Sequence, residues 1–385
     1  MSTTISGPGS APGGSSDRTD ISALREMRTF SHSASPAHYV PVHRAYRSRL
    51  SEVDWDNLQP GAIFTDHMFV CDFANGEWRD ATIVPFGPFS LLPTSLVFHY
   101  GQTIFEGMKA FRTEDDRIHI FRPEKHYDRL MKTAARMCMP APPAEVFFEG
   151  LRRLVELERD WVPAQPGGAL YLRPFEIATD SRLSVRVSDS YRFAIVCSPS
   201  GPYFQRPVRV KVERHYVRAV SGGTGFAKCG GNYGGALYPT EMAKAEGYDQ
   251  VLWTDGLTHS FIEESGMMNA FFVFGNTLVT PPLRDTILDG VTRDSLLTLA
   301  MEMGIPVEQR PISVDELREG LESGIVTEAF GVGTAAVISP ISGIGIDGRD
   351  YMLPISGSIG VKLKEILDDI RYGRRPDVYQ WNCFV

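Results

Sequence analysis

From Ala62 onward, strand-like and helix-like stretches follow one another without the regular β–α–β rhythm that a doubly wound parallel sheet requires. That irregular alternation restricts the chain to a mixed α/β or α+β architecture. Asn75-Gly76 and Gly275-Asn276 each separate strand-like runs and mark hairpin turns. Arg117 to Phe121 reads as a strand running into Pro123, which suits the first turn of a helix. Tyr127, Met131, Ala134 and Cys138 then recur at helical spacing. They predict an amphipathic helix that reaches Met139 and stops at Pro140, with Arg129 facing away from the apolar stripe. A second helix is expected over 144–159, strands over 169–176, 190–198, 207–215, 249–254 and 259–264, and helices near 236–246 and from Val291, Val314 and Ser358.

A length of 385 residues suits two domains. Gly201-Pro-Tyr-Phe-Gln-Arg-Pro207 has linker chemistry, so a smaller domain is expected over 51–200, a linker over 201–207 and a larger domain over 208–385. Residues 1–50 read as a disordered or loosely packed extension, because the first twenty are mostly Gly, Ser, Thr and Pro. A net charge of −8 with no basic block argues against nucleic acid as a partner. The strongest apolar stretch, Met267 to Phe274, is far too short to span a bilayer, so no membrane partner is expected. Five scattered cysteines without a C-x-x-C pair point to a reducing cytoplasm, and the histidines show no metal-ligand spacing.

Only 8 residues of the chain are lysine, and one of them stands in Ser221-Gly-Gly-Thr-Gly-Phe-Ala-Lys-Cys-Gly-Gly-Asn-Tyr-Gly-Gly235. Lys228 is the only charged residue in a run holding seven glycines. Such a backbone can approach a ligand closely, and an amine stripped of water there becomes a nucleophile. An exposed lysine on a flexible loop is the plain alternative. A P-loop fails, because Ala227 and Cys229 stand where Gly and Ser or Thr are required. The chain's Gly343-Ile-Gly-Ile-Asp-Gly348 is no dinucleotide fingerprint either, since Asp347-Gly348 reads as a turn rather than the start of a helix.

The chemistry that most needs such a lysine is Schiff-base formation with pyridoxal phosphate, which poses three further demands. Glu264, in a mostly apolar segment, can face the pyridine nitrogen. Arg129, and the helix opening at Gly290-Val291-Thr292, can hold the phosphate. Tyr233 can reach the phenolic oxygen. Taken singly, each also reads as an exposed carboxylate, a surface arginine or an ordinary helix cap.

Together these blocks resemble the branched-chain amino-acid aminotransferases, within the fold type IV class of pyridoxal-phosphate enzymes. The matching text includes Phe98-His-Tyr-Gly-Gln-Thr-Ile-Phe-Glu-Gly-Met-Lys-Ala-Phe111, Tyr171-Leu-Arg-Pro174, Gly230-Gly-Asn-Tyr233, Leu288-Asp-Gly-Val-Thr-Arg293 and Phe330-Gly-Val-Gly-Thr-Ala335. The resemblance implies a small N-terminal α/β domain, a larger pseudo-barrel domain and a homodimer acting on amino acids and 2-oxo acids. It makes Lys228 the Schiff-base lysine and proton shuttle. Glu264, rather than Glu263, becomes the partner of the pyridine nitrogen, and Arg129, Val291, Thr292 and Thr334 the phosphate ligands. Tyr100, Phe105 and Tyr171 would line an apolar pocket, with Arg173 receiving the distal carboxylate of glutamate. Backbone N–H groups at Thr334 and Ala335 would take the α-carboxylate. The C-x-x-C of the animal enzymes is replaced by Ala336-Val-Ile-Ser339.

Three rivals remain at this level. They are a transaminase of a specialised biosynthetic pathway, a D-amino-acid transaminase or aminodeoxychorismate lyase, and a non-catalytic binding protein on the same fold.

Overall fold

The computed structural model describes residues 40–201, 206–354 and 358–385. Its first sheet begins with β1 (His67–Ala74) and β2 (Glu77–Pro85). They form a hairpin whose turn residues Asn75 and Gly76 both take positive φ (56° and 82°), the twist that a two-residue turn needs. After the short helix α1 (Val97–Tyr100) come β3 (Thr103–Phe105), β4 (Met108–Arg112) and β5 (Ile118–Phe121). Helices α2 (Pro123–Arg136) and α3 (Ala144–Leu157) precede β6 (Ala169–Ala178) and β7 (Tyr191–Ser200). Phe69, Leu130, Phe147, Leu151, Leu172 and Phe193 fill the core where both helices pack on the sheet.

The expected helix after Pro123 is present, but it ends at Arg136, and Cys138 at φ 54° turns the chain away before Pro140. Its buried face also differs from the expected stripe. His126, Arg129, Leu130, Thr133 and Ala134 point inward, whereas Met131 and Cys138 are exposed. Arg129 therefore lies on the buried face, because a partner distant in sequence neutralises it there.

The second sheet runs through β8 (Val208–Val212), β9 (Gln250–Thr254), β10 (Ile262–Ser265), β11 (Met268–Phe274), β12 (Thr277–Thr280), β13 (Val307–Gln309), β14 (Val326–Gly333), β15 (Val337–Ile346) and β16 (Arg349–Met352). Pairing proceeds β10–β9–β8–β15–β14–β11, and β11 pairs again with β10, which closes these strands into a ring. Helices α4 (Gly231–Gly234) and α5 (Leu237–Ala245) come before β9, α6 (Val291–Glu302) and α7 (Val314–Ser323) flank β13, and α8 (Ser358–Arg371) follows β16. The apolar run on β11 is explained by burial on both faces. Ala270 and Phe272 face one core with Val210, Leu252 and Ile344, while Phe271 and Val273 face another with α6 and α8. The G-x-G-x-x-G is the β15–β16 hairpin, turning at Asp347 and Gly348 with φ 47° and 84°.

The chain passes from the first sheet to the second between Ser200 and Val208, and part of that expected linker, 202–205, lies outside the described residues. It returns at β17 (Asn382–Phe384), which pairs with β5. At the other end, Val40 is buried and Val42 bridges to Ile83, so 40–50 lies against the first sheet, and 1–39 lies outside the described residues. Among the described residues no helix is long and apolar enough to cross a membrane.

Candidate active site

A cavity of about 300 Å³ is walled by β3, β4 and β6 on one side and by β10, β11, the start of α6 and the β14–β15 loop on the other. Lys228 reaches into it from a segment clamped on both flanks. Phe105 N–H donates to the Lys228 carbonyl (3.0 Å), Gly230 N–H to the Thr103 carbonyl (3.1 Å), and Lys228 N–H to Thr133 Oγ1 on α2 (3.0 Å). Gly225 is required for close packing within the protein, since a Cβ there would lie 2.6 Å from the Thr286 backbone. The amine donates to Tyr233 Oη at 3.0 Å and lies 4.9 Å from the Phe105 ring centroid.

Arg129 enters from α2, held by Glu106, which is fully buried. Nε and Nη2 each donate to the Glu106 carboxylate at 2.7 Å, and Nη1 to the Asp289 carbonyl at 2.9 Å. His126 Nδ1 sits 2.7 Å from the same carboxylate. Burial opposes the charged form of Glu106, but Arg129 and His126 outweigh it and hold the carboxyl well below its usual range. Nη2 also lies 3.4 Å from His126 Nδ1, and one N–H on Nη1 remains for a ligand. Facing it, α6 starts at Gly290 without a side-chain cap, so its first N–H groups, at Val291 and Thr292, are left for an anion at the cavity wall.

Glu264 lines the cavity and Glu263 does not, as alternation along β10 requires. Oε1 of Glu264 accepts from Leu288 N–H (3.0 Å) and Asn269 Nδ2 (3.2 Å), and Oε2 lies 2.7 Å from Arg218 Nε. Burial raises its pKa, and Arg218 opposes that. Arg173 lays its guanidinium 4.6 Å from the Phe105 centroid and 5.2 Å from that of Tyr171, and donates to Tyr171 Oη at 2.9 Å. Thr334 and Ala335 complete the wall in the β14–β15 loop.

Of the residues expected at the site, only Tyr100 is not brought to this cavity. It ends α1, is 37% exposed and packs beside His99. The sequence reading missed Glu106, Lys109, Asn269 and Arg218. Glu106 and Lys109 did carry a signal, as charges within an otherwise apolar strand block. Arg218 and Asn269 carried none, because their partner Glu264 lies on another element or across a hairpin.

The sequence pattern described as "Amino-transferase class IV" matches residues 103–344. The chain belongs to the class-IV aminotransferase family. It is 46% identical over 339 residues to "Branched-chain-amino-acid transaminase 1" of Bacillus subtilis (strain 168), covering 86% of this chain and 95% of that protein. Among solved structures, the branched-chain aminotransferase from the thermophilic archaeon Thermoproteus uzoniensis, with norvaline, matches with a TM-score of 0.69 at 27% identity, over 83% of this chain and 99% of that one. The T.th. branched-chain amino acid aminotransferase complexed with N-(5'-phosphopyridoxyl)-L-glutamate matches with a TM-score of 0.66 at 25% identity, over 82% of this chain and 98% of that one.

This class-IV aminotransferase is a pyridoxal-phosphate-dependent enzyme. Its cavity fits that group. It offers a lysine amine at the wall, an unspent N–H donor on Arg129 and others at the uncapped end of α6, and a buried carboxylate with donors fixed on Oε1 and the Arg218 guanidinium beside Oε2.

Proposed function

We propose that this enzyme exchanges the amino group between leucine, isoleucine or valine and 2-oxoglutarate, its relatives being named as branched-chain-amino-acid transaminases. The observation that carries the substrate reading is Arg173 folded onto Phe105 and Tyr171. A guanidinium stacked on aromatic faces leaves an apolar wall for a branched side chain, and can turn to a carboxylate when glutamate takes its place.

Bound pyridoxal phosphate supplies an electron sink for the bond broken at the substrate Cα. Lys228 Nζ holds and moves the proton at that Cα, and Tyr233 Oη, 3.0 Å away, fixes the direction of the amine. Glu264 presents its anion to the pyridine nitrogen. Arg129, Val291, Thr292 and Thr334 take the phosphate, while Thr334 and Ala335 offer backbone N–H groups to the substrate α-carboxylate.

Residues 51–200 and 208–385 are read as two domains meeting at the cavity, supported by the two sheets, with 40–50 and β17 joining the first. A homodimer is supported by an apolar patch on adjoining segments. Phe98 (60% exposed), Leu183 (68%) and Val185 (84%) lie where Arg182 N–H donates to the Thr94 carbonyl. Free thiols at all five cysteines are consistent with the cytoplasm.

Single-turnover half-reactions followed by cofactor absorbance test the reading. Leucine, isoleucine, valine and glutamate should react fastest in a panel that includes aromatic and D-amino acids. Arg173→Met should slow glutamate by at least about tenfold and leave leucine nearly unchanged, the scale of one lost charged hydrogen bond. Equal losses with both, or a faster aromatic substrate, would refute it.

A further inference from the structure

His126 and Arg129 stand one turn apart on the inward face of α2, and both are buried. They meet over one carboxylate. Glu106 is anchored by its own backbone, whose N–H donates to the Pro174 carbonyl of β6 at 2.7 Å. Its Oε1 accepts from Arg129 Nε, and its Oε2 from Arg129 Nη2 and from the Gly107 N–H at 3.2 Å. The His126 ring reaches Oε2 as well, at 2.7 Å. Glu106 is ionised, so a nitrogen this close to it must carry a proton, and Nδ1 is the donor. The 3.4 Å approach of Arg129 Nη2 to that same Nδ1 is then a contact between two donors.

Burial pushes the His126 ring below its usual range, Glu106 opposes that, and Arg129 and Lys228 add to it. His126 is therefore a neutral donor near pH 7. The charges of Glu106 and Arg129 cancel without it, and an apolar side chain would fill the same place in the core with no polar atom to satisfy. What the ring changes is how firmly the carboxylate draws on the guanidinium. Hydrogen bonds from His126 and Gly107 meet part of the charge on Oε2, so less of it has to be met by Arg129. The guanidinium then has more of its positive charge left for an anion at Nη1, which keeps a free N–H.

We infer that His126 is a positioning residue for the cofactor phosphate, acting through Glu106 to leave Arg129 available to it. The inference rests on the reading of Arg129 as a phosphate ligand given above. His126 is not among the residues that line the cavity, so its influence runs through Glu106 and Arg129. It concerns the phosphate alone, because the groups assigned to the rest of the cofactor, Lys228, Tyr233 and Glu264, lie on other segments.

The test compares pyridoxal phosphate with pyridoxal, which has the same ring and aldehyde but no phosphate, by equilibrium dialysis against the full chain freed of cofactor. An asparagine side chain places a nitrogen where Nδ1 stands, and a leucine fills that place with a methyl group. His126→Leu should weaken pyridoxal phosphate by at least about fivefold, part of what a hydrogen bond to a charged group is worth, and leave pyridoxal within about twofold. His126→Asn should bind both probes within about twofold of wild type, since the donor is kept. Thermal melts check that each variant is folded, and His126→Ala takes over if His126→Leu is not. Equal weakening of the two probes, or an unchanged affinity for pyridoxal phosphate in His126→Leu, would overturn the inference. So would a loss in His126→Asn as large as that in His126→Leu. Arg129→Met is measured alongside. If it separates the probes, such a result removes the role of His126 alone, and if it does not, the phosphate reading of Arg129 falls and the inference with it.

Discussion

Glu176 on β6 is fully buried, on the same face as Leu172 and Ala178, and neither of its oxygens has a hydrogen-bond partner in the protein. Burial alone pushes its carboxyl up from 4.5 to about 9. The unfolded chain releases this proton at ordinary carboxyl pH, while the folded chain keeps it. Its contribution to stability is therefore full below the unfolded value and is lost as pH rises toward the folded one. The loss runs at about 1.4 kcal/mol per pH unit, or roughly 4 kcal/mol between about pH 5 and about pH 8. Glu176→Gln cannot ionise and escapes this loss. A chain of 385 residues has an unfolding entropy near ~0.8 kcal/mol per degree, so the gap in Tm between variant and wild type should widen by about 5 °C over that interval. Thermal melts of both proteins, saturated with cofactor, measure the gap. Any fixed cost of placing an amide there cancels in the difference, and so do other titrating groups. Tm curves that stay parallel within about 1 °C would show that Glu176 is ionised in the fold and refute the argument.

Glu264→Gln should slow proton removal from the substrate Cα by at least about tenfold in single turnovers, with KM little changed, and a change in KM alone would reduce Glu264 to a positional role. Glu106→Gln takes the counter-charge from buried Arg129, and breaking such a pair costs about 3 kcal/mol or more. Cofactor affinity by equilibrium dialysis should fall at least about tenfold, whereas an unchanged affinity would show that Arg129 holds its place unaided. Gly107→Ala would set a Cβ 2.1 Å from Tyr171 Oη, forcing the ring aside and breaking its 2.9 Å bond from Arg173. Activity with glutamate should drop by at least about tenfold while cofactor absorbance persists, and full activity would mean that the wall yields without consequence.

What the sequence made legible was local. Asn75-Gly76 names its own turn because few other residues accept two positive φ values, and Pro123 marks where α2 begins. The glycine-set lysine was visible for the same reason, as a departure from composition within one segment. The inward face of α2 was misread because its occupants are charged, and the acid that neutralises Arg129 stands 23 positions earlier, on another element. Strands β14 and β15 escaped notice because they hold Gly331 and Gly345 where strand formers are expected. Both are explained only by distant side chains, since a Cβ would lie 2.5 Å from Met268 Cε and 2.3 Å from Tyr248 Oη. Arg218 and Lys109 gain meaning only from the groups folding places beside them.

Lys228 belongs by sequence to the half of the chain that builds the second sheet, yet its backbone is fastened to β3 and α2 of the first. Glu264 and the start of α6 ride on the other side. The reactive amine and the groups opposite it are thus mounted like two jaws of a vice, with the tool fixed to the jaw it does not come from. Parting the jaws would carry Lys228 away from Glu264 and undo the alignment on which the chemistry depends. The alignment therefore depends on the two sides staying together, and the rim of the cavity is formed by Pro60, Gly61, Gly201 and the exposed Met267.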